Sequence, residues 1–160
     1  MIVYLGLGSN IDAEKNINQC HAALRTTFDK VRFSPVYKSK AVGFDGDDFL
    51  NSVAEIRTDL ELKDLIEKLK NLENELGRVR AGEKFSSRHI DIDILLYGDQ
   101  AYQQPIVLPR EEIYHQAYVL KPLADLAGDM KDPVHMKTYQ QLWQDFDQKK
   151  QPIEVASSKS

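Results

Sequence analysis

An alternating run past the middle of the chain, Ile90-Asp91-Ile92-Asp93-Ile94, limits the folds open to it. Side chains two apart on a strand share a face, so the isoleucines point one way and both aspartates the other. The isoleucines need a packed core. The aspartates would stand roughly 6.5–7 Å apart along the strand. Carboxylates that close repel, and one is driven toward its neutral form unless cations intervene. The run therefore asks for a sheet with one dry face and one face open to cations. A half-exposed strand with two solvated aspartates is the plainer alternative.

Periodicity elsewhere supplies the rest of such a sheet. Ile2 to Leu7 is a short apolar strand running into Gly6 and Gly8, and Asp12 is placed to cap a helix whose Ile17, Cys20, Leu24 and Phe28 share one face. Residues 31–38 read as a strand interrupted or edged by Pro35, residues 39–48 as a glycine-bearing loop, and Phe49 to Arg57 as a further strand. Thr58 and Glu61 have capping-box spacing before a leucine-striped helix over 62–76, with Gly77 at its expected C′ position. Ile90 to Tyr97 is the next strand, turned by Gly98-Asp99. A short extended piece near 106–108 follows, then a helical turn near 111–117 and helices near 122–127 and 139–146. Strand, helix, strand, strand, helix, strand is the βαββαβ order of a ferredoxin-like α+β fold with an antiparallel sheet and a C-terminal extension. Residues 1–146 are expected to form one domain and 147–160 a frayed tail.

The overall balance excludes several functions. A net charge of −4 and a pI of about 5.6 argue against a duplex-DNA binder, and a metal-dependent nuclease, which shares two-metal logic, lacks a basic stripe. The single cysteine, Cys20, rules out an internal disulfide and fits a cytoplasmic setting. No signal peptide and no apolar run of membrane-spanning length is evident. No histidine pair has zinc-ligand spacing and no G-x-S-x-G elbow is present. GLGSN at 6–10 is neither G-x-G-x-x-G nor a Walker sequence; it signals close backbone approach, with backbone groups available to a flat heterocycle.

Against this acidic background, GRVRAGEKFSSRH at 77–89 concentrates Arg78, Arg80, Lys84 and Arg88 immediately before the aspartate strand. Guanidinium groups take phosphate bidentately, and Mg²⁺ prefers carboxylate, water and phosphate oxygens. Carboxylates, Mg²⁺ and arginines together suit a polyphosphate. Arginines paired with helix acids such as Glu73 and Glu75 are the structural alternative.

LGLGSN, FLN at 49–51, LGRVR at 76–80, RHIDIDILLYGD at 88–99 and YVLKPLADLAG at 118–128 together resemble 6-hydroxymethyl-7,8-dihydropterin pyrophosphokinases, in order from about residue 2 to about residue 143. The resemblance implies a ferredoxin-like fold and a monomer. It also implies transfer of pyrophosphate from ATP to the pterin hydroxymethyl group, with release of AMP, in folate biosynthesis. Asp91 and Asp93 would hold two Mg²⁺ ions, and Arg78, Arg80 and Arg88 would complete the catalytic set. Gly8, Val42, Phe49, Asn51 and Tyr118 match pterin positions, with Asn51 bonding the pterin edge and Tyr118 stacking on its face. Glu73, Lys84, Ile94 and Arg110 fall on the nucleotide side, with Arg78 and Arg88 at the phosphates.

The chain departs from the family pattern at Ser39-Lys40-Ala41, Phe49, Lys84-Phe85, Arg110 and Gln116. These departures motivate a second reading, a catalytically impaired relative that binds pterin or nucleotide as a regulatory module. The intact aspartate pair argues against it.

Overall fold

The computed structural model describes residues 1–39, 48–78 and 90–157, without the side chains of Arg78 and Ser157. The expectations for most of the 39–48 loop, for the 79–89 part of the cationic loop, and for Val42, Arg80, Lys84 and Arg88 lie outside the described residues.

The chain order is β1 (Ile2–Ser9), α1 (Ala13–Thr27), β2 (Arg32–Phe33), β3 (Val36–Ser39), β4 (Phe49–Arg57), α2 (Leu62–Arg78), β5 (Asp91–Tyr97), α3 (Glu112–His115), α4 (Ala117–Ala127), α5 (Tyr139–Asp145) and β6 (Glu154–Ser157). The sheet runs β5-β1-β4-β3-β6, with β2 also on β4, and its pairings are antiparallel. This is the expected α+β fold. The break between β2 and β3 falls at Ser34-Pro35, where proline cannot donate to the ladder. Ser34 repairs it: its backbone N–H donates to Val53 O (2.9 Å) and its Oγ accepts from Val53 N–H (2.8 Å).

One face of the sheet is dry. Val3, Leu5 and Leu7 of β1 and Ile92 and Ile94 of β5, with Ile90 just before it, pack against Ile17, Cys20 and Leu24 of α1 and Leu65 and Leu69 of α2. The isoleucines of the alternating run thus face the core, as their spacing demands. The dry layer admits one histidine. His21 on α1 stacks on Phe33 (3.9 Å between ring centroids), and its Nε2 lies 3.0 Å from Ser52 Oγ. Burial, with Arg25 adding to it, holds the ring neutral down to about 4.

The other face is also covered, by α3, α4 and α5, so the outer face of β5 is an interior wall. Tyr4, Val53, Leu95 and Leu96 pack there against Ile113, Leu120, Leu123 and Tyr139. Leu95 and Leu96 share this face because β1 and β5 slip by one residue between Tyr4 and Leu5. Arg32 and Tyr4 converge on Glu55 beneath α4, at 2.8 Å each to Oε1.

Several local expectations are corrected. Thr58 does not cap α2; its hydroxyl takes Leu60 N–H (3.1 Å), and the Glu61 carbonyl receives the first helical bonds from Asp64 and Leu65. Gly77 does not end α2, which continues to Arg78. α4 begins at Ala117 rather than near Pro122, which lies inside the helix. An internal proline costs about 3 kcal/mol, and burial of Ala117, Leu120 and Leu123 against the sheet offsets it. A capping box does form at α5, between Thr138 and Gln141. The tail expected to fray instead makes a 3₁₀ turn (Gln148–Lys150) and then β6, because β3 presents an open edge for it to pair with.

Candidate active site

Two clefts open beside β5. The larger, about 340 Å³, lies between the sheet and α4. Its floor is β1, where Gly6 and Gly8 leave the backbone bare. A Cβ on Gly8 would stand 2.8 Å from Asn51 Oδ1, so glycine here makes room for the Asn51 amide. Asn51 is buried, and its Nδ2 donates to Ser39 Oγ (3.3 Å). Phe49 and Ser39 continue that wall, and Tyr118 and Val119 of α4 form the opposite one. The result is a slot with one buried carboxamide, aromatic side chains and an exposed backbone floor, which suits a flat heterocycle with a hydrogen-bonding edge.

Asp91 and Asp93 both line this slot, on the face opposite Ile90, Ile92 and Ile94. Burial, then the nearby Glu112 and Asp93 carboxylates, push the Tyr118 phenol upward, so it stays protonated. The smaller cleft, about 210 Å³, lies between β5 and α2 and is lined by Ile66, Leu69, Lys70, Glu73, Ile92, Ile94 and Ile106. Glu73 Oε2 accepts the Ile92 N–H at 2.6 Å, so an acid on α2 satisfies the open edge of β5. Asp93 and Arg110 line both clefts. Arg110 is held there by its Nε donating to Ile94 O (2.9 Å) and its N–H donating to Leu95 O (3.0 Å). A carboxylate and a guanidinium thus stand where the two clefts meet.

The donor set suits a hard cation. Asp91 and Asp93 offer oxygens only, and among the described residues no third His, Cys, Asp or Glu joins them in a ligand cluster. Mg²⁺ characteristically takes one or two carboxylates and fills its shell with water and substrate phosphate.

Residues 4–128 match the family of 7,8-dihydro-6-hydroxymethylpterin-pyrophosphokinase (HPPK). The chain belongs to the HPPK family. It is 36% identical over 137 residues to the 2-amino-4-hydroxy-6-hydroxymethyldihydropteridine pyrophosphokinase of Haemophilus influenzae, covering 81% of this chain and 84% of that protein. With the Pseudomonas aeruginosa protein of the same name it shares 39% over 139 residues, covering 82% and 83%. A solved HPPK-DHPS structure from Plasmodium falciparum superposes on 90% of this chain with a TM-score of 0.72 at 13% identity, which speaks for the fold. This chain spans 45% of that longer one.

Of the residues matched to HPPK positions, the fold brings Gly8, Phe49, Asn51, Asp91, Asp93, Arg110 and Tyr118 into the larger cleft and Glu73, Ile94, Asp93 and Arg110 into the smaller. Arg78 ends α2. Gln116, one of the departures named above, sits at the N-cap position of α4. Ser39, Ser52, Glu112 and Val119 in the larger cleft and Ile66, Leu69, Lys70 and Ile106 in the smaller escaped the sequence reading. Only Glu112 carried a signal, an acid two residues from Arg110. The others are ordinary strand or helix residues whose place depends on what packs opposite.

Proposed function

We propose that the larger cleft holds the pterin of the HPPK reaction, the smaller cleft the purine side of ATP, and their junction the phosphates. The chain, as an HPPK family member, is a pyrophosphokinase of folate biosynthesis. Its reaction joins the pterin hydroxymethyl oxygen to the β-phosphorus of ATP and breaks the bond between the α- and β-phosphoryl groups, releasing AMP. The observation that carries the assignment is that Asp93 and Arg110 line both clefts. A triphosphate reaching from one cleft to the other has to cross them.

In this arrangement Asn51 fixes the pterin edge and Tyr118 its face, so the hydroxymethyl group points toward Asp91 and Asp93. Positioning of this kind supplies much of the catalysis in phosphoryl transfer. Asp91 and Asp93 hold Mg²⁺, two ions in this reading, which neutralises phosphate charge when bound. Arg78, Arg80, Lys84 and Arg88, which precede β5 in sequence, are the cationic residues this reading assigns to the phosphates. Arg110, a departure from the family pattern, supplies a guanidinium that can take phosphate oxygens bidentately. The resemblance to the family favours a monomer, and the single cysteine a cytoplasmic setting; among the described residues no helix is long and apolar enough to cross a membrane.

The test is AMP release from Mg-ATP. Release that requires 6-hydroxymethyl-7,8-dihydropterin, and is lost in Asp91→Ala and Asp93→Ala, is the expected result. Tight pterin binding without AMP would assign the cleft to binding alone.

A further inference from the structure

We infer that the C-terminal segment is a strap tying together the two walls of the larger cleft and that Gln151 is a positioning residue for the wall that carries Tyr118. This rests on the reading of that cleft as the pterin site. Two backbone groups stand close together at the α3–α4 corner, the Ala117 N–H and the His115 carbonyl. The N-cap residue, Gln116, makes no side-chain capping bond. Gln151 satisfies both groups with one amide: its Oε1 accepts from Ala117 N–H (2.9 Å) and its Nε2 donates to His115 O (2.8 Å). That pairing also fixes the amide orientation, since the flipped form would set donor against donor. The next residues along α4, Tyr118 and Val119, line the cleft.

Three residues beyond Gln151, β6 pairs with β3, Lys38 with Glu154 and Tyr37 with Val155. β3 ends at Ser39, on the opposite wall, where it accepts the Asn51 amide. One short stretch therefore grips both walls. A second tie between them runs from Tyr37 Oη to the Asp125 carboxylate. Asp125 lies about two helical turns beyond Tyr118, so that tie secures the last turn of α4, while Gln151 bonds its first residue. Among the described residues, the smaller cleft takes no lining residue from α4, β3 or the tail. Loosening the strap should therefore weaken pterin binding and spare ATP.

The test measures pterin and Mg-ATP affinities by calorimetry on the full chain, with turnover in parallel. Gln151→Ala, which removes both corner hydrogen bonds, is expected to weaken pterin about tenfold, with ATP affinity changed less than twofold. Gln151→Glu keeps the acceptor at the start of α4 but loses the donor, and should fall between. Val155→Pro, which breaks β6 pairing without touching the corner, should reproduce the selective loss even if Gln151→Ala fails to fold. Unchanged pterin affinity in Val155→Pro and in a folded Gln151→Ala, or equal weakening of both ligands, would overturn the strap while leaving the pterin site standing. A wild-type chain that binds no pterin would overturn both.

Discussion

Asp132 and Asp93 are the same side chain in opposite circumstances. Asp132 is fully buried and ringed by donors: Tyr139 Oη (2.7 Å), Tyr114 Oη (2.8 Å), the backbone N–H groups of His135 (2.7 Å) and Val134 (3.2 Å), and His135 Nδ1 (3.0 Å). Burial alone would raise its carboxyl, but these hydrogen bonds outweigh it and hold the group below the ordinary aspartate value. Its acceptor sites are filled by the protein, and its work is to join α3, the following turn and α5. Asp93, with Asp91, lies half-buried on a cleft wall where water and ions can reach. What distinguishes the two places is access: the protein encloses Asp132, whereas the cleft leaves Asp93 and Asp91 within reach of solvent. A saturated carboxylate is a structural joint. A pair on a cleft wall is the one we propose as a cation site.

The sharpest way to break this contrast is to remove each partner in turn. Asp93→Ala or Asp91→Ala should lower turnover about a thousandfold by removing cation and charge stabilisation, with the melting temperature nearly unmoved. A comparable loss of melting temperature would make the pair structural and end the distinction. Asp132→Ala should behave conversely. Stranding Tyr114 and Tyr139 inside the second core should cost about 3 kcal/mol in a denaturant titration, with turnover per folded molecule retained.

Acid sharpens the comparison further. His21 is held neutral in the fold down to about 4, against 6.5 when exposed, so the unfolded chain takes the proton first. Its contribution is complete above about pH 6.5 and is lost as pH falls toward 4, for a total of about 3 kcal/mol. Asp132 has the depressed value of a paired carboxylate, so its contribution is present above its unfolded value of 3.8 and disappears below it. Stability measured against pH should therefore fall in two stages. His21→Phe should flatten the first and leave the second. An unchanged slope between 6.5 and 4 would show that His21 is not the group responsible.

The smallest effect concerns the cleft junction. Arg110→Ala should weaken Mg-ATP about ten- to a hundredfold, the worth of one charge-assisted contact, and leave pterin affinity close to its original value. Unchanged ATP affinity would remove Arg110 from the phosphate path and leave Asp93 to hold the junction without it.

Much of this was legible beforehand because it is local. The two-residue alternation of Ile90 to Ile94 assigned each side chain to a face. The leucine stripe of α2 and the Pro35 interruption of the β2–β3 edge were read from spacing and backbone chemistry alone. What went wrong was also local, but undecided by local forces. Thr58 and Glu61 have capping-box spacing, yet Glu61 sits at the start of α2. Pro122 looks like a first-turn proline until the burial of Ala117 and Leu120 pulls the helix start back. The tail from Asp147 has little apolar content, and only the open edge of β3 gives it a partner.

The sequence by itself determined that this chain has a strand with a dry face and an acidic face, two helices to cover the dry one, and the motif set of the HPPK family. Periodicity and motif spacing are properties of neighbours along the chain. The tertiary structure decided that the acidic face is an interior wall under α4, that Asp93 and Arg110 stand at the junction of two clefts, and that Gln151 reaches across to the α3–α4 corner. Those facts join residues far apart in sequence. They follow from which surfaces must be buried together, and no local pattern contains that.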